Sequence, residues 1–133
     1  MRIQTEALLR LLLAAVLGAA VGYERQQADK PARLRDYLLV TLGSAAFTLV
    51  GLYGFVDGDT GRVAAQIVTG IGFLGAGVII REQGHIVGVT TAAGIWVCAA
   101  IGMASAAGLY LVAVATTVVA FLALRLRVFG AHS

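Results

Sequence analysis

Few residues in this chain could do chemistry, and most of them lie beside apolar runs. Gly70-Ile71-Gly72-Phe73-Leu74-Gly75 spells GxGxxG, the spacing that cradles a pyrophosphate. That motif needs a strand before it, a helix after it and an acidic residue about 20 residues on. The stretch before Gly70 reads as helix, and no Asp or Glu follows Glu82. Nucleotide binding is therefore rejected. The candidate functional polar residues are Glu24, Arg25, Arg35, Asp59, Arg62, Gln66, Arg81 and Thr91. Ionisable groups at membrane depth are functional candidates by default. The alternative is that they pair at the interface and fix helix depth. No nucleophile elbow or triad is present, so an enzyme is not expected. Glu24 and Asp59 are weak candidates for a metal such as Mg2+, for which a cation path wants rings of carboxylates. None lies within an apolar run, so Arg25, Arg62 and Arg81 are expected to form structural or signalling ion pairs. His85 reads as a solvated loop residue, with no second ligand at metal-site spacing. Cys98, the single cysteine, reads as a small buried hydrophobe.

The elements that must position these residues are membrane helices. The chain has 133 residues, 59% hydrophobic and 13% charged, with a mean hydropathy of +0.90. Globular domains carry roughly 25% charge. The expected class is an all-α integral membrane protein, a single domain over 1–133. It reads as a bundle of five helices at about 6–23, 37–55, 62–80, 91–106 and 109–126. A cleavable leader is the rival reading of the first segment, which has a basic start and an apolar core. The net charge of +3 sits mostly at helix ends, where snorkelling and the positive-inside bias account for it. Nucleic acid is not an expected partner, because no basic patch with interleaved aromatics occurs.

The third helix carries Gly70, Gly72, Gly75 and Gly77 within eight residues. At about 100° per residue, Gly70, Gly77 and Gln66 share one side; Gly72, Gly75, Ala76 and Ala65 fall near the other. Glycine lets neighbouring backbones approach closely in lipid. Two small faces predict a lipid-shielded helix at the bundle centre, with the four glycines as packing points. A broken helix whose carbonyls line an ion site is the other reading. Asp57-Gly58-Asp59 faintly resembles the start of a calcium loop but lacks its further oxygens, so Asp59 or Thr60 is expected to cap the third helix. Residues 81–90 read as a short polar loop, Thr90-Thr91 as the cap of the fourth helix, and Gly108 as a break. With the N-terminus outside and the C-terminus inside, seven of the ten Lys/Arg fall inside, the orientation the positive-inside rule favours.

Three blocks carry a family resemblance. They are Gly22-Tyr23-Glu24-Arg25 with Lys30-Pro31-Ala32-Arg33-Leu34-Arg35; the run from Arg62 through Gln66 to Gly77; and Gly88-Val89-Thr90-Thr91-Ala92-Ala93-Gly94-Ile95-Trp96. The chain resembles the membrane domain of the MgtC/SapB family over nearly its whole length. That resemblance implies a bacterial inner-membrane protein of about five helices, named for an association with magnesium, with many regulatory members. Two departures stand out. Relatives often carry a C-terminal ACT-like domain, for which this chain ends too early. Asp36-Tyr37 stands where relatives often show Thr-His. The expected function is a non-enzymatic modulator of magnesium-linked ion homeostasis acting through helix–helix contacts, with a homo-oligomer or another membrane protein as partner. The alternative is an oligomeric Mg2+ transporter or channel.

Overall fold

The computed structural model describes residues 2–27, 32–82 and 85–126, with the backbone alone at 80–82, 85 and 87. Lys30, Asp29 and Arg127 lie outside the described residues. Five helices follow in order: α1 (Arg2–Gln27), α2 (Leu34–Tyr53), α3 (Thr60–Gly77), α4 (Val89–Ala106) and α5 (Tyr110–Arg125). By length and composition, α1, α2 and α4 can each cross a bilayer, and α5 is a shorter apolar helix. The fold is the all-α bundle read from the sequence.

Helix ends follow local chemistry, and several boundaries differ from expectation: α1 runs over Arg2–Gln27 rather than about 6–23, which takes Glu24 and Arg25 into the helix. Helix α2 begins at Leu34 rather than Tyr37, because the Asp36 carboxylate accepts from the Arg33 backbone N–H at 2.8 Å and closes the first turn. Helix α3 begins at Thr60, where Asp59 Oδ1 accepts from the Arg62 backbone N–H at 3.1 Å, the cap expected of it. It ends at Gly77, short of Ile80. Its 18 residues span about 27 Å. Residues 80–82 and 85–87 are strands rather than loop: β1 (Ile80–Glu82) pairs antiparallel with β2 (His85–Val87), and Arg81 opposes Ile86. The cap of α4 is Gly88 at φ +93°, not Thr90 or Thr91. A Cβ at Gly88 would collide with the Val78 carbonyl, so only glycine fits there. Gly108 breaks the chain as expected, at φ +84°. There the Leu109 N–H donates to the Ala104 carbonyl at 2.9 Å, a Schellman-type stop.

The core is built by α1, α2 and α4, with α5 against α4 and α1 and with α3 against α4 and α2. Val21, Ala32, Tyr37, Ile95, Cys98 and Ile101 form its largest cluster. Cys98 is fully buried there. Small residues let the backbones close. A Cβ at Gly18 would strike the Thr41 side chain, one at Gly22 would lie 2.7 Å from Leu34 Cα, and one at Gly102 would strike the Thr41 carbonyl. Ser44 Oγ then donates across the α2–α4 contact to the Ala99 carbonyl at 2.6 Å.

The position expected for α3 is not the one observed. Ten residues of α4 are buried, against Ile67 and Gly75 alone in α3. The most shielded helix is therefore α4, and α3 flanks the bundle. Nothing lies within 4 Å of a Cβ placed at Gly70, Gly72 or Gly77, and Gly75 meets only Ala92, at 3.6 Å. Three of the four expected packing glycines thus touch nothing within one copy. The helix is continuous through all of them up to Gly77.

Candidate functional site

The residues that combine charge with burial gather where the last turn of α1 meets the first turns of α2 and α4. Glu24 and Arg25 lie in the last turn of α1, after the apolar run from Leu11 to Val21, and both are buried. Arg25 is 1% exposed and Glu24 8%. Their Nη1–Oε2 distance is 3.7 Å, an ion pair without hydrogen-bond length. Tyr37 and Thr91 complete the group, both fully buried. Tyr37 lies over Gly94, where a Cβ would come within 3.3 Å of the ring, so the absence of a side chain on α4 admits it. Its hydroxyl is a near neighbour of Thr91, yet neither hydroxyl meets hydrogen-bond geometry with any described residue. Arg25 Nε and Nη2 and Glu24 Oε2 lack hydrogen-bond partners as well.

This arrangement is rich in donors. Two guanidinium nitrogens and two hydroxyls are buried here without a partner among the described residues, and a buried hydrogen bond left unmade costs about 1–3 kcal/mol. What satisfies them is an acceptor: a water, a carbonyl or an anionic group. A divalent cation wants six or more oxygens, and an arginine at the centre opposes it. Among the described residues no three of His, Cys, Asp and Glu come together.

The other expected site residues do not converge here. Arg35 is exposed on the first turn of α2, Asp59 is exposed at the N-cap of α3, and Arg62 and Gln66 are exposed on its first half. Of the three arginines expected in ion pairs, Arg25 has one. Arg62 has none among the described residues, which corrects that expectation for it. Arg81 is described by its backbone only.

Two residues were missed from the sequence. Tyr37 was noted only as a departure from a family pattern. Arg10 is not among the candidates read from the sequence, but it ties α1 to α2, α4 and α5, its Nη1 reaching the Tyr53 hydroxyl at 3.4 Å. Its Nη1 donates to the Ala106 carbonyl at 2.8 Å, its Nε donates to the Tyr110 hydroxyl at 2.9 Å, and it pairs with Glu6. A cation on the last carbonyls of α4 also suits the helix dipole. Its signal was available: one charge inside the run Leu8-Leu9-Arg10-Leu11-Leu12-Leu13.

A helical bundle with spans of bilayer length and a buried, charge-balanced polar end is an integral membrane protein. The chain belongs to the MgtC family, whose model matches residues 11–129. It is 50% identical over 113 residues to the Escherichia coli K12 protein named "Putative magnesium transporter YhiD", covering 79% of this chain and 53% of that one. It is 46% identical over 112 residues to "Protein MgtC" of Salmonella typhimurium LT2, covering 84% and 48%. It is 45% identical over 105 residues to "Uncharacterized protein slr0014" of Synechocystis, covering 79% and 45%. The chain thus spans about half the length of these curated relatives. No solved structure matches it.

Proposed function

We propose that this chain is a non-enzymatic modulator of magnesium-linked ion homeostasis in the bacterial plasma membrane, acting through helix–helix contacts on the outer side of α3. One observation carries the reading. Ala65, Thr69, Gly72 and Ala76 recur at spacings of four, three and four and are all exposed. They form one small-residue stripe facing away from the bundle. Such stripes let a second membrane helix approach to backbone contact. The partner is another copy or a different membrane protein. The excess of Lys/Arg in the first loop and at the C-terminal end supports an outside N-terminus and a cytoplasmic C-terminus.

The name of the Escherichia coli relative favours a second reading, an oligomeric Mg2+ transporter. One experiment separates the two. The chain is reconstituted in liposomes and Mg2+ entry is followed with an entrapped dye, while Gly72→Cys is cross-linked in native membranes. Cross-linked adducts at Gly72→Cys and Mg2+ entry equal to that of empty liposomes are expected. Saturable Mg2+ entry replaces the modulator with the transporter.

A further inference from the structure

A second feature of α3 lies on the side opposite the small-residue stripe. There α2 and α3 diverge and leave an open groove of about 720 Å³. Leu39, Gly43 and Phe47 line it from α2, and Arg62, Gln66 and Gly70 from α3. Gly43 and Gly70 leave its floor empty, since a Cβ at either would meet nothing within 4 Å. Apart from Ser44, whose hydroxyl is already donated to the Ala99 carbonyl, the wall is apolar except at one end. Arg62 and Gln66, one turn apart, stand beside the 54–59 turn that joins the two helices. Arg62 has no ion-pair partner among the described residues. Asp57 and Asp59 are exposed in the adjoining turn.

We infer that this groove binds one zwitterionic phospholipid of the ethanolamine type. An acyl chain lies along the apolar trench, the phosphate meets the Arg62 guanidinium and the Gln66 carboxamide, and the ammonium turns toward Asp57 and Asp59. The match is one of charge order. A single cation ends an apolar trench at the level where the helices leave the hydrocarbon, and carboxylates lie just beyond it. A phospholipid presents the complement in the same sequence: apolar chain, phosphate, ammonium. Guanidinium–phosphate contacts are among the stronger hydrogen bonds available. A protein helix in the same trench would have to set an anion against Arg62 and a cation against the turn at one point, with apolar residues everywhere else.

The test is native mass spectrometry of the purified full chain after exchange with phosphatidylethanolamine or phosphatidylglycerol. The wild type is expected to retain one phosphatidylethanolamine in preference to phosphatidylglycerol. Arg62→Gln lowers retention about tenfold or more, the loss of a charge-assisted contact. Gly70→Leu fills the trench and expels the lipid with no fall in thermal stability, because its side chain enters empty space. Retention unchanged in both variants overturns the inference, as does a preference for phosphatidylglycerol. Disulfide-linked dimers of Gly43→Cys or Gly70→Cys in native membranes would also overturn it, by assigning the groove to a second copy.

Discussion

Two ends of this molecule use the same residue types in opposite ways. In the core formed by α1, α2 and α4, glycines are closed: Gly18, Gly22 and Gly102 have another helix against them. On α3, Gly70, Gly72 and Gly77 are open. Arginines divide likewise. Arg25 is buried beside Glu24, and Arg62 is exposed without an ion pair among the described residues. The core spends its small residues on intramolecular contact, and the flank holds them in reserve for something outside the copy. Glycine density along a helix therefore reports that close approach is permitted. It does not report whether the approach is made within the chain.

The largest effect that would test this contrast is at Arg25. Removing one partner of a buried pair costs about 3–5 kcal/mol, because the remaining charge is left uncompensated. Arg25→Ala is expected to lose most of the folded fraction in detergent, whereas Arg62→Ala keeps its thermal midpoint. Replacing both partners, as Glu24→Gln with Arg25→Met, should recover much of the loss. Equal damage from Arg25→Ala and Arg62→Ala would erase the distinction between core and flank.

Next in size are the glycines. Gly102→Leu drives a side chain into the α2 backbone, and overpacking costs typically about 1–3 kcal/mol. Gly72→Leu enters open space, and it also replaces glycine with a better helix former. The first variant should lower the thermal midpoint, and the second should hold it while weakening cross-linked assembly in membranes. A stability loss at Gly72→Leu matching that at Gly102→Leu would return α3 to the bundle centre.

That central placement was the main misreading, and its cause is physical. A helical wheel on 64–80 separates small faces from bulky ones, but which neighbour covers a face depends on tertiary packing. The existence of five helices, the Asp59 cap and the Gly108 break were legible, because each is fixed by composition or by residues within a turn. The β1–β2 pairing was not, since strands of three residues are too short for alternation to register. Tyr37 and Thr91 could not be joined to Arg25 either. They are 12 and 66 positions away in sequence, and only the α1–α2–α4 packing brings them together. Arg10 was the avoidable miss, since a lone charge in a leucine run asks for a partner.

The smallest expected effect concerns Asp59, which separates a local role from a metal role on the flank. Its carboxylate accepts from the Arg62 backbone N–H, and losing an N-cap costs about 0.5–2 kcal/mol. Because α3 is held chiefly through Ile67 and Gly75, that loss should appear as faster amide exchange over residues 60–66 rather than as global unfolding. Asp59→Asn retains a capping oxygen and should keep slow exchange, whereas Asp59→Ala should not. Calorimetry supplies the second readout. If Asp59 served a cation, Asp59→Asn would remove Mg2+ binding while sparing the helix end. The expected result is the reverse: exchange that follows the cap, and Mg2+ titrations of the wild type and Asp59→Asn that superimpose. A Mg2+ signal present in the wild type and lost in Asp59→Asn would make the flank a cation site and reassign Asp59 from cap to ligand.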